Sequence, residues 1–195
     1  MEEKLEYLIC NLPQEEDCNR FLEYMTIEEK AVKDSTIKNV LLENAKIIKE
    51  SAFENCKELK FVAWGKEDAL KKEPQIVFMM NENFITGFTA ITVESKKENT
   101  LGKTSDISPI IIQKAAFKGC EKLETVIFPK NKCIIEKDVF AQCKSLRTIV
   151  FPGVETEIID DPFIGCKDLT IVCNKDDYKL QAYARAHSFR IIELN

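Results

Sequence analysis

Apolar residues recur at a fixed interval in the second half of this chain. Phe117, Phe140 and Phe163 follow one another every 23 residues. Three cysteines and three leucines keep the same interval, namely Cys120, Cys143, Cys166, Leu123, Leu146 and Leu169. A fixed period in the twenties is typical of a solenoid, in which each repeat buries its apolar side against its neighbours. The pattern therefore predicts a stack of short, similar units.

The repeating unit combines two kinds of apolar pattern. Its consensus is I-I-x3-(A/V)-F-x2-C-x2-L-x2-V-x-F-P, with copies that start at Ile47, Ile111, Ile134 and Ile158. The closing L-x2-V-x-F part alternates apolar and other residues, which predicts a short strand. The A-F-x2-C part predicts a helical or 3-10 turn with its Phe and Cys pointing inward. Stacked units then align their strands into a parallel sheet.

The middle of the chain departs from this period. Phe53 and Phe117 are 64 residues apart, five short of three periods. Residues 78–93 keep the spacing of the unit in part, so we expect a degenerate fifth unit there. Two charged insertions, residues 67–74 and 94–106, flank it and are expected to be loops on one edge.

We expect three divisions of the chain. Residues 1–36 form a helical N-terminal segment or cap, and residues 37–174 form the solenoid, which is irregular over residues 65–110. Residues 175–195 form a C-terminal cap, in which a helix precedes a final strand. Solenoids need such caps because their terminal apolar faces would otherwise be exposed.

The first thirty residues carry most of the net charge. They contribute −6 from nine acids and three bases, whereas the whole chain of 195 residues has −5. Helices are expected from Pro13 to Met25 and after a capping box of Thr26 and Glu29. The acids suit either a docking surface or a solvated helix face, and we favour the latter. Nucleic acid is not an expected partner, because its binding needs a clustered basic face.

The eight cysteines suggest packing rather than chemistry. Cys56, Cys120, Cys143 and Cys166 share one repeat position, which predicts a stacked ladder of buried thiols. A disulfide framework is one alternative. A zinc site is another, but its paired C-x2-C spacings are missing from the sequence. We expect no metal and no cofactor.

The sequence contains no clear targeting signal or membrane-spanning segment. The first residues lack the basic start and apolar core of a secretory signal. No stretch approaches the roughly 20 apolar residues of a membrane span. The sequence as written therefore predicts a cytoplasmic protein, or the mature part of a longer product, without membrane insertion.

These repeats resemble the BspA-type, or Treponema-type, leucine-rich repeat family, whose unit carries A-F-x2-C-x2-L-x2-V-x2-P. The match is close at Ala116–Pro129 and Val139–Pro152, and Tyr183-Ala184 resembles the start of the family's terminal cap. The resemblance implies an α/β repeat solenoid, a right-handed superhelix with short parallel strands on its concave face and helical or 3-10 turns behind. It also implies a non-enzymatic module for adhesion or protein interaction, in a family whose members are often secreted or surface-displayed.

The candidate binding surface follows from the strand pattern. In L-x2-V-x-F the third and fifth positions face away from the core. The candidate partner-binding residues are Phe61, Ala63, Thr92, Thr125, Ile127, Thr148, Val150 and Ile171. Such an apolar stripe suits a protein partner of unknown identity. The alternatives are a structural protein whose stripe mediates homodimerisation, and a stripe covered by other parts of the chain.

Catalysis has little support in the sequence. The lone His187 has no nucleophile spaced to meet it, and the carboxylates of Asp160 and Asp161 alone are weak evidence for acid–base work. Cys173 is the single cysteine expected on the concave face, and it would need a lowered pKa to act as a nucleophile. We therefore expect a protein that is not an enzyme.

Overall fold

The computed structural model describes the following residues of the chain: 7–8, 25–42, 45–64, 78–81, 84–88 and 108–194. Their strands, in chain order, are Tyr7–Leu8 (β1), Met25–Ile27 (β2), Asn39–Leu41 (β3), Ala45–Ile48 (β4), Phe61–Ala63 (β5), Phe78–Asn81 (β6), Phe84–Phe88 (β7), Ile110–Ile112 (β8), Thr125–Ile127 (β9), Cys133–Ile135 (β10), Thr148–Phe151 (β11), Glu157–Ile158 (β12), Thr170–Asn174 (β13) and Arg190–Leu194 (β14). The helix α1 spans Tyr178–Ala186.

Two parallel sheets run along the stacked repeats. The seven-stranded sheet has the order β1-β3-β5-β9-β11-β13-β14, and the five-stranded sheet has the order β12-β10-β8-β4-β2. Each of the five repeats thus gives one strand to each sheet, and the larger sheet gains a further strand at both ends. Within the described residues, the two sheets form a parallel-strand solenoid of about five turns with little helix, as the period predicts.

The structure has a second sheet, which the sequence pattern does not predict, beside the predicted turns. The Ile-Ile pair of each unit forms its strands, as in the register Ile111↔Ile134 and Ile112↔Ile135. The following A-F-x2-C part is a series of single turns, such as the one closed by Cys56 N–H to Phe53 O at 3.2 Å. Each series contains left-handed residues, for example Ser51 at φ +57°. A left-handed φ interrupts a right-handed helix, so the turns cannot extend into one.

Stacked side chains fill the space between the sheets. One ladder of near-parallel rings joins Phe53 to Phe117 at 5.0 Å, Phe117 to Phe140 at 5.6 Å and Phe140 to Phe163 at 5.6 Å. A second ladder joins Trp64 to Phe128 at 4.8 Å and Phe128 to Phe151 at 4.7 Å. Rings stack because parallel strands place equivalent residues one above the other.

The first turn of the solenoid begins earlier than the sequence predicts. The capping box expected at Thr26 and Glu29 is wrong, because Met25–Ile27 pairs in parallel with β4. Val32 and Ser35 occupy the Phe and Cys positions of this turn: the Cys56 thiol donates to Val32 O at 3.0 Å and lies 3.4 Å from Ser35 Oγ. The degenerate positions hid this repeat. The helix expected from Pro13 lies outside the described residues.

The expected fifth unit is also wrong. β5 pairs directly with β9 and β4 directly with β8, so no turn lies between these repeats. Residues 66–106 belong instead to a separate compact unit, in which β6 and β7 form an antiparallel pair. The spacing within residues 78–93 therefore does not mark a repeat.

The last turn is followed by α1 and β14, in the order that the sequence predicts for a cap. The buried Asp177 precedes the helix: its Oδ1 accepts the Leu180 N–H at 3.2 Å and its Oδ2 accepts the Thr156 N–H at 2.9 Å. β14 pairs in parallel with β13. The Phe189 ring meets Phe163 edge-on at 5.8 Å and covers the end of the phenylalanine ladder.

Candidate functional site

The side chains of the seven-stranded sheet alternate between the core and the opposite surface, here called the outer face. Val62, Val126 and Ile149 lie in one register column of the core cluster. Their neighbours along each strand point the other way. The outer face thus contains two columns of residues in register. The first is Asn39, Phe61, Thr125, Thr148 and Thr170, and the second is Ala63, Ile127, Val150 and Val172.

The structure places six of the eight sequence-predicted residues on the outer face. Four of them are partly exposed on three consecutive turns: Phe61, Thr125, Ile127 and Thr148. Ala63 and Val150 share these columns but are only 6% and 3% exposed, so a partner could not reach them easily. Thr92 lies outside the described residues. The accessible part of the predicted stripe is therefore mixed, with one aromatic ring, one aliphatic side chain and two hydroxyls.

The assignment of Ile171 to the outer face is wrong. Ile171 is in register with Ile149, is 0% exposed and belongs to the core cluster. The last repeat has one residue fewer between its leucine, Leu169, and the buried column, which shifts every later residue to the other side of the sheet. Thr170 consequently takes the outward position, in register with Thr148.

Sequence reasoning missed a second apolar stripe on the five-stranded sheet. Ile47, Ile111 and Ile134 form one register column and are partly exposed. The isoleucine that follows each of them is completely buried, namely Ile48, Ile112 and Ile135. The repeated Ile-Ile dipeptide was the available signal, since adjacent residues of a strand face opposite sides. The solenoid thus has two sheet faces to distinguish by experiment.

Several exposed charges pair from one turn to the next. Lys49 meets Glu28 at 2.6 Å, Lys122 meets Glu58 at 2.7 Å, and Lys144 meets Glu121 at 3.3 Å. Cross-strand pairs of opposite sign stabilise a sheet modestly, and exposed pairs contribute up to about 1 kcal/mol each. These pairs favour the native register of the turns more than they favour any binding.

The predicted thiol ladder is present. The thiols of Cys120, Cys143 and Cys166 each donate to the main-chain oxygen of the Phe one turn earlier, at 3.1, 3.2 and 3.4 Å. A hydrogen bond with Cys120, followed by burial, raises the pKa of Cys56 far above its ordinary value. Burial likewise raises the pKa of Cys166 to about 12. The ladder is a packing element of free, buried thiols.

The cysteine, aspartate and histidine that the sequence offers for catalysis have structural surroundings. Burial raises the pKa of Cys173 to about 11, the opposite of what a thiolate nucleophile needs, and its side chain lies in the core. Asp161 Oδ1 accepts the Tyr183 hydroxyl at 3.1 Å and the Phe163 N–H at 3.0 Å. His187 follows the last residue of α1, and its ring lies 4.1 Å from that of Tyr183, tilted by 30°. These groups hold the last turn and the helix together.

The described residues contain neither a metal site nor a membrane-spanning helix. No group of three or more His, Cys, Asp or Glu side chains there is arranged to hold a metal ion. No helix in that same part of the chain is long and apolar enough to cross a membrane.

Two parallel sheets and ladders of stacked rings define a repeat solenoid of the leucine-rich class. The family model of the BspA type leucine rich repeat region matches six copies, over residues 25–111 and 95–191. The chain belongs to the BspA-type leucine-rich repeat family. This family consists in general of non-enzymatic repeat proteins that are suited to protein interaction. Neither the curated proteins nor the solved structures contain a match.

Proposed function

We propose that this chain is a non-enzymatic protein-interaction module whose partner contacts the outer face of the seven-stranded sheet. The observation that carries the proposal is the partial exposure of Phe61, Thr125, Ile127 and Thr148 on consecutive turns of that face. Together they offer an aromatic anchor, an aliphatic contact and two hydroxyls for hydrogen bonds. Aromatic side chains are among the residues that most often dominate binding energy.

The rigidity of the surface supports the same proposal. Each turn is tied to the next by main-chain hydrogen bonds, such as Glu124 N–H to Lys60 O at 2.8 Å. Three of the four exposed side chains are β-branched and have few rotamers to lose. A surface that is already ordered loses less entropy when a partner binds, which favours affinity.

Photo-crosslinking tests this proposal. A photoreactive amino acid at Thr148 on the outer face, and at Ile111 on the five-stranded sheet as a matched control, would be activated in cells that produce the protein. We expect a discrete adduct from position 148 that Ile127→Lys removes and Ile134→Lys, its counterpart on the other sheet, leaves unchanged. An adduct from position 111 alone would overturn the choice of face. An adduct with twice the mass of the chain would favour homodimerisation instead.

A further inference from the structure

Four charged residues line one margin of the seven-stranded sheet, and only the last of them, Arg147, has an ion-pair partner in the described residues, Asp168 at 3.7 Å. Lys38, Lys60, Glu124 and Arg147 directly precede the strands β3, β5, β9 and β11, and all four are exposed; we call them the sheet rim. Main-chain hydrogen bonds link them in this order: Lys60 N–H to Lys38 O at 2.7 Å, Glu124 N–H to Lys60 O at 2.8 Å, and Arg147 N–H to Glu124 O at 3.0 Å. The rim is thus a continuous column.

Lys38 and Lys60 are neighbours of the same sign. Within the described residues neither of them has an ion-pair partner. The nearby Glu58 carboxylate is already engaged by Lys122, which donates to both of its oxygens at 2.8 and 2.7 Å. Like charges on adjacent strands repel and destabilise. Lys38 and Lys60 both help to lower the pKa of Glu58 after the larger effect of Lys122, but neither lysine forms a close ion pair with it.

One lysine of the pair, Lys60, is the neighbour along the chain of the aromatic residue of the outer face. Phe61 follows Lys60 directly, is partly exposed, and lies in register between Asn39 and Thr125. A cationic margin beside an exposed ring can contact a carboxylate and an apolar side chain of one ligand at the same time. This arrangement suits a ligand in which acidic and apolar residues alternate.

We propose that the partner docks at the first turns of the solenoid through an acidic polypeptide segment, whose carboxylates meet Lys38 and Lys60 and whose apolar side chain packs on Phe61. This inference rests on the proposed function of the outer face and adds the chemistry of the partner. A uniform polyanion fits less well, because the rim continues into Glu124, which has no ion pair in the described part of the chain. A polypeptide can place its acids at the lysines alone.

Fluorescence anisotropy with synthetic probes tests the inference. The probe is a labelled peptide of about twelve residues in which Glu alternates with Leu, long enough to cross several turns. Matched peptides alternate Lys with Leu and Glu with Ser, and a heparin fragment and an oligothymidylate represent uniform polyanions. We expect binding of the Glu–Leu peptide only, weakened about tenfold or more by Lys38→Glu/Lys60→Glu and by added salt.

A charge-matched control separates the rim from the net charge. Lys130→Glu/Lys137→Glu changes two exposed lysines away from the rim by the same total charge, and we expect it to alter the dissociation constant less than about twofold. Equal weakening by both double variants, no binding of the Glu–Leu peptide, or binding of heparin or oligothymidylate as tight as that of the peptide would each overturn the inference. Circular dichroism confirms that each variant is folded.

The crosslinking experiment distinguishes this inference from the proposed function. If Lys38→Glu/Lys60→Glu removes the adduct formed at position 148, both stand. If Ile127→Lys removes that adduct while the rim variant leaves it intact, the outer face is the binding surface and the acidic partner is wrong. If no adduct forms from position 148, the proposed function itself fails.

Discussion

The Cys120 thiol donates a hydrogen bond to the main-chain oxygen of Phe53, 3.1 Å away, although 67 residues separate the two in the sequence. Cys143 makes the same contact with Phe117 at 3.2 Å across only 26 residues. The repeats on either side of residues 66–106, here called the insertion, therefore stack as directly as repeats that follow one another in the sequence. The insertion separates two repeats in the sequence, but these repeats remain neighbours in the stack.

Removal of the insertion should leave the solenoid folded. The Trp64 ring stacks on Phe128 at 4.8 Å, and Asn131 donates to Ser108 O at 2.9 Å, so both ends of the insertion are held near one short stretch of chain. Replacement of residues 66–106 by about six Gly and Ser residues, which span up to about 20 Å, should suffice. We expect a cooperative thermal transition by circular dichroism within about 5 °C of that of the full chain.

The control for that deletion removes a true repeat. Deletion of residues 111–133 excises one period of the stack, together with Phe117 and Cys120. This chain should lose more stability than the one without residues 66–106. If the two deletions cost the same, the insertion is as much a part of the fold as a repeat.

The thiol ladder should tolerate serine only at its end. Cys120→Ser places a hydroxyl in a fully buried position, and we expect a loss of about 1–3 kcal/mol in the free energy of unfolding. Ser35→Ala, at the same repeat position but partly exposed, should cost less than about 1 kcal/mol. Urea denaturation measures both changes. An unchanged free energy of unfolding for Cys120→Ser would show that burial does not select the thiol.

Left-handed turn positions should respond in opposite directions to glycine and alanine. Gly119 has φ +73°, and a Cβ there would lie 2.5 Å from Asn55 Oδ1, so Gly119→Ala should cost about 1–2 kcal/mol. Gln142 occupies the equivalent position one turn later with φ +63° and is exposed. Gln142→Gly should therefore stabilise the fold by up to about 1 kcal/mol. Changes in melting temperature of the same sign for the two variants would contradict this account.

Buried thiols should make the fold sensitive to alkaline pH. Burial raises the pKa of Cys133 and of Cys166 to about 12, from 9.0 in an exposed chain. Because the folded state keeps these protons longer, the stabilisation is complete below pH 9 and is lost as the pH rises towards 12. We expect each thiol to account for about 1–2 kcal/mol of the loss at pH 10.

Urea midpoints at pH 8 and pH 10, under reducing conditions, measure this loss. Cys133→Ala/Cys166→Ala serves as the comparison, since other groups titrate equally in both proteins. The double variant should lose about 3 kcal/mol less than the wild type between the two pH values. An equal loss in both proteins would show that these thiols do not couple to folding.

Much of the fold was predictable from residues that repeat with good fidelity. Phe117, Phe140 and Phe163 stack as their 23-residue spacing predicts, because in-register parallel strands hold equivalent residues of successive repeats above one another. The first turn was not predictable in the same way, since Val32 and Ser35 replace its Phe and Cys. The solenoid accepts such replacements where neighbouring turns complete the core.

The candidate site was predictable only in part. Alternation along a strand assigned Phe61, Thr125, Ile127 and Thr148 to one face, and the structure agrees. Ile171 was misplaced, because a single missing residue shifts the register and only pairing with Ile149 reveals it. The burial of Val150 could not be predicted from the sequence either, since it depends on the residues that surround its side chain in space.

The sequence by itself determined the repeat, its period, the buried columns and hence the family, because each of these depends on residue types at fixed local spacings. The tertiary structure alone decided which repeats are neighbours, that Lys38 and Lys60 stand together at a sheet margin, and which outward side chains a partner can reach. These properties depend on pairing between distant strands. A hydrogen-bonded stack joins Phe61 to Thr125 across 64 residues as readily as Thr125 to Thr148 across 23.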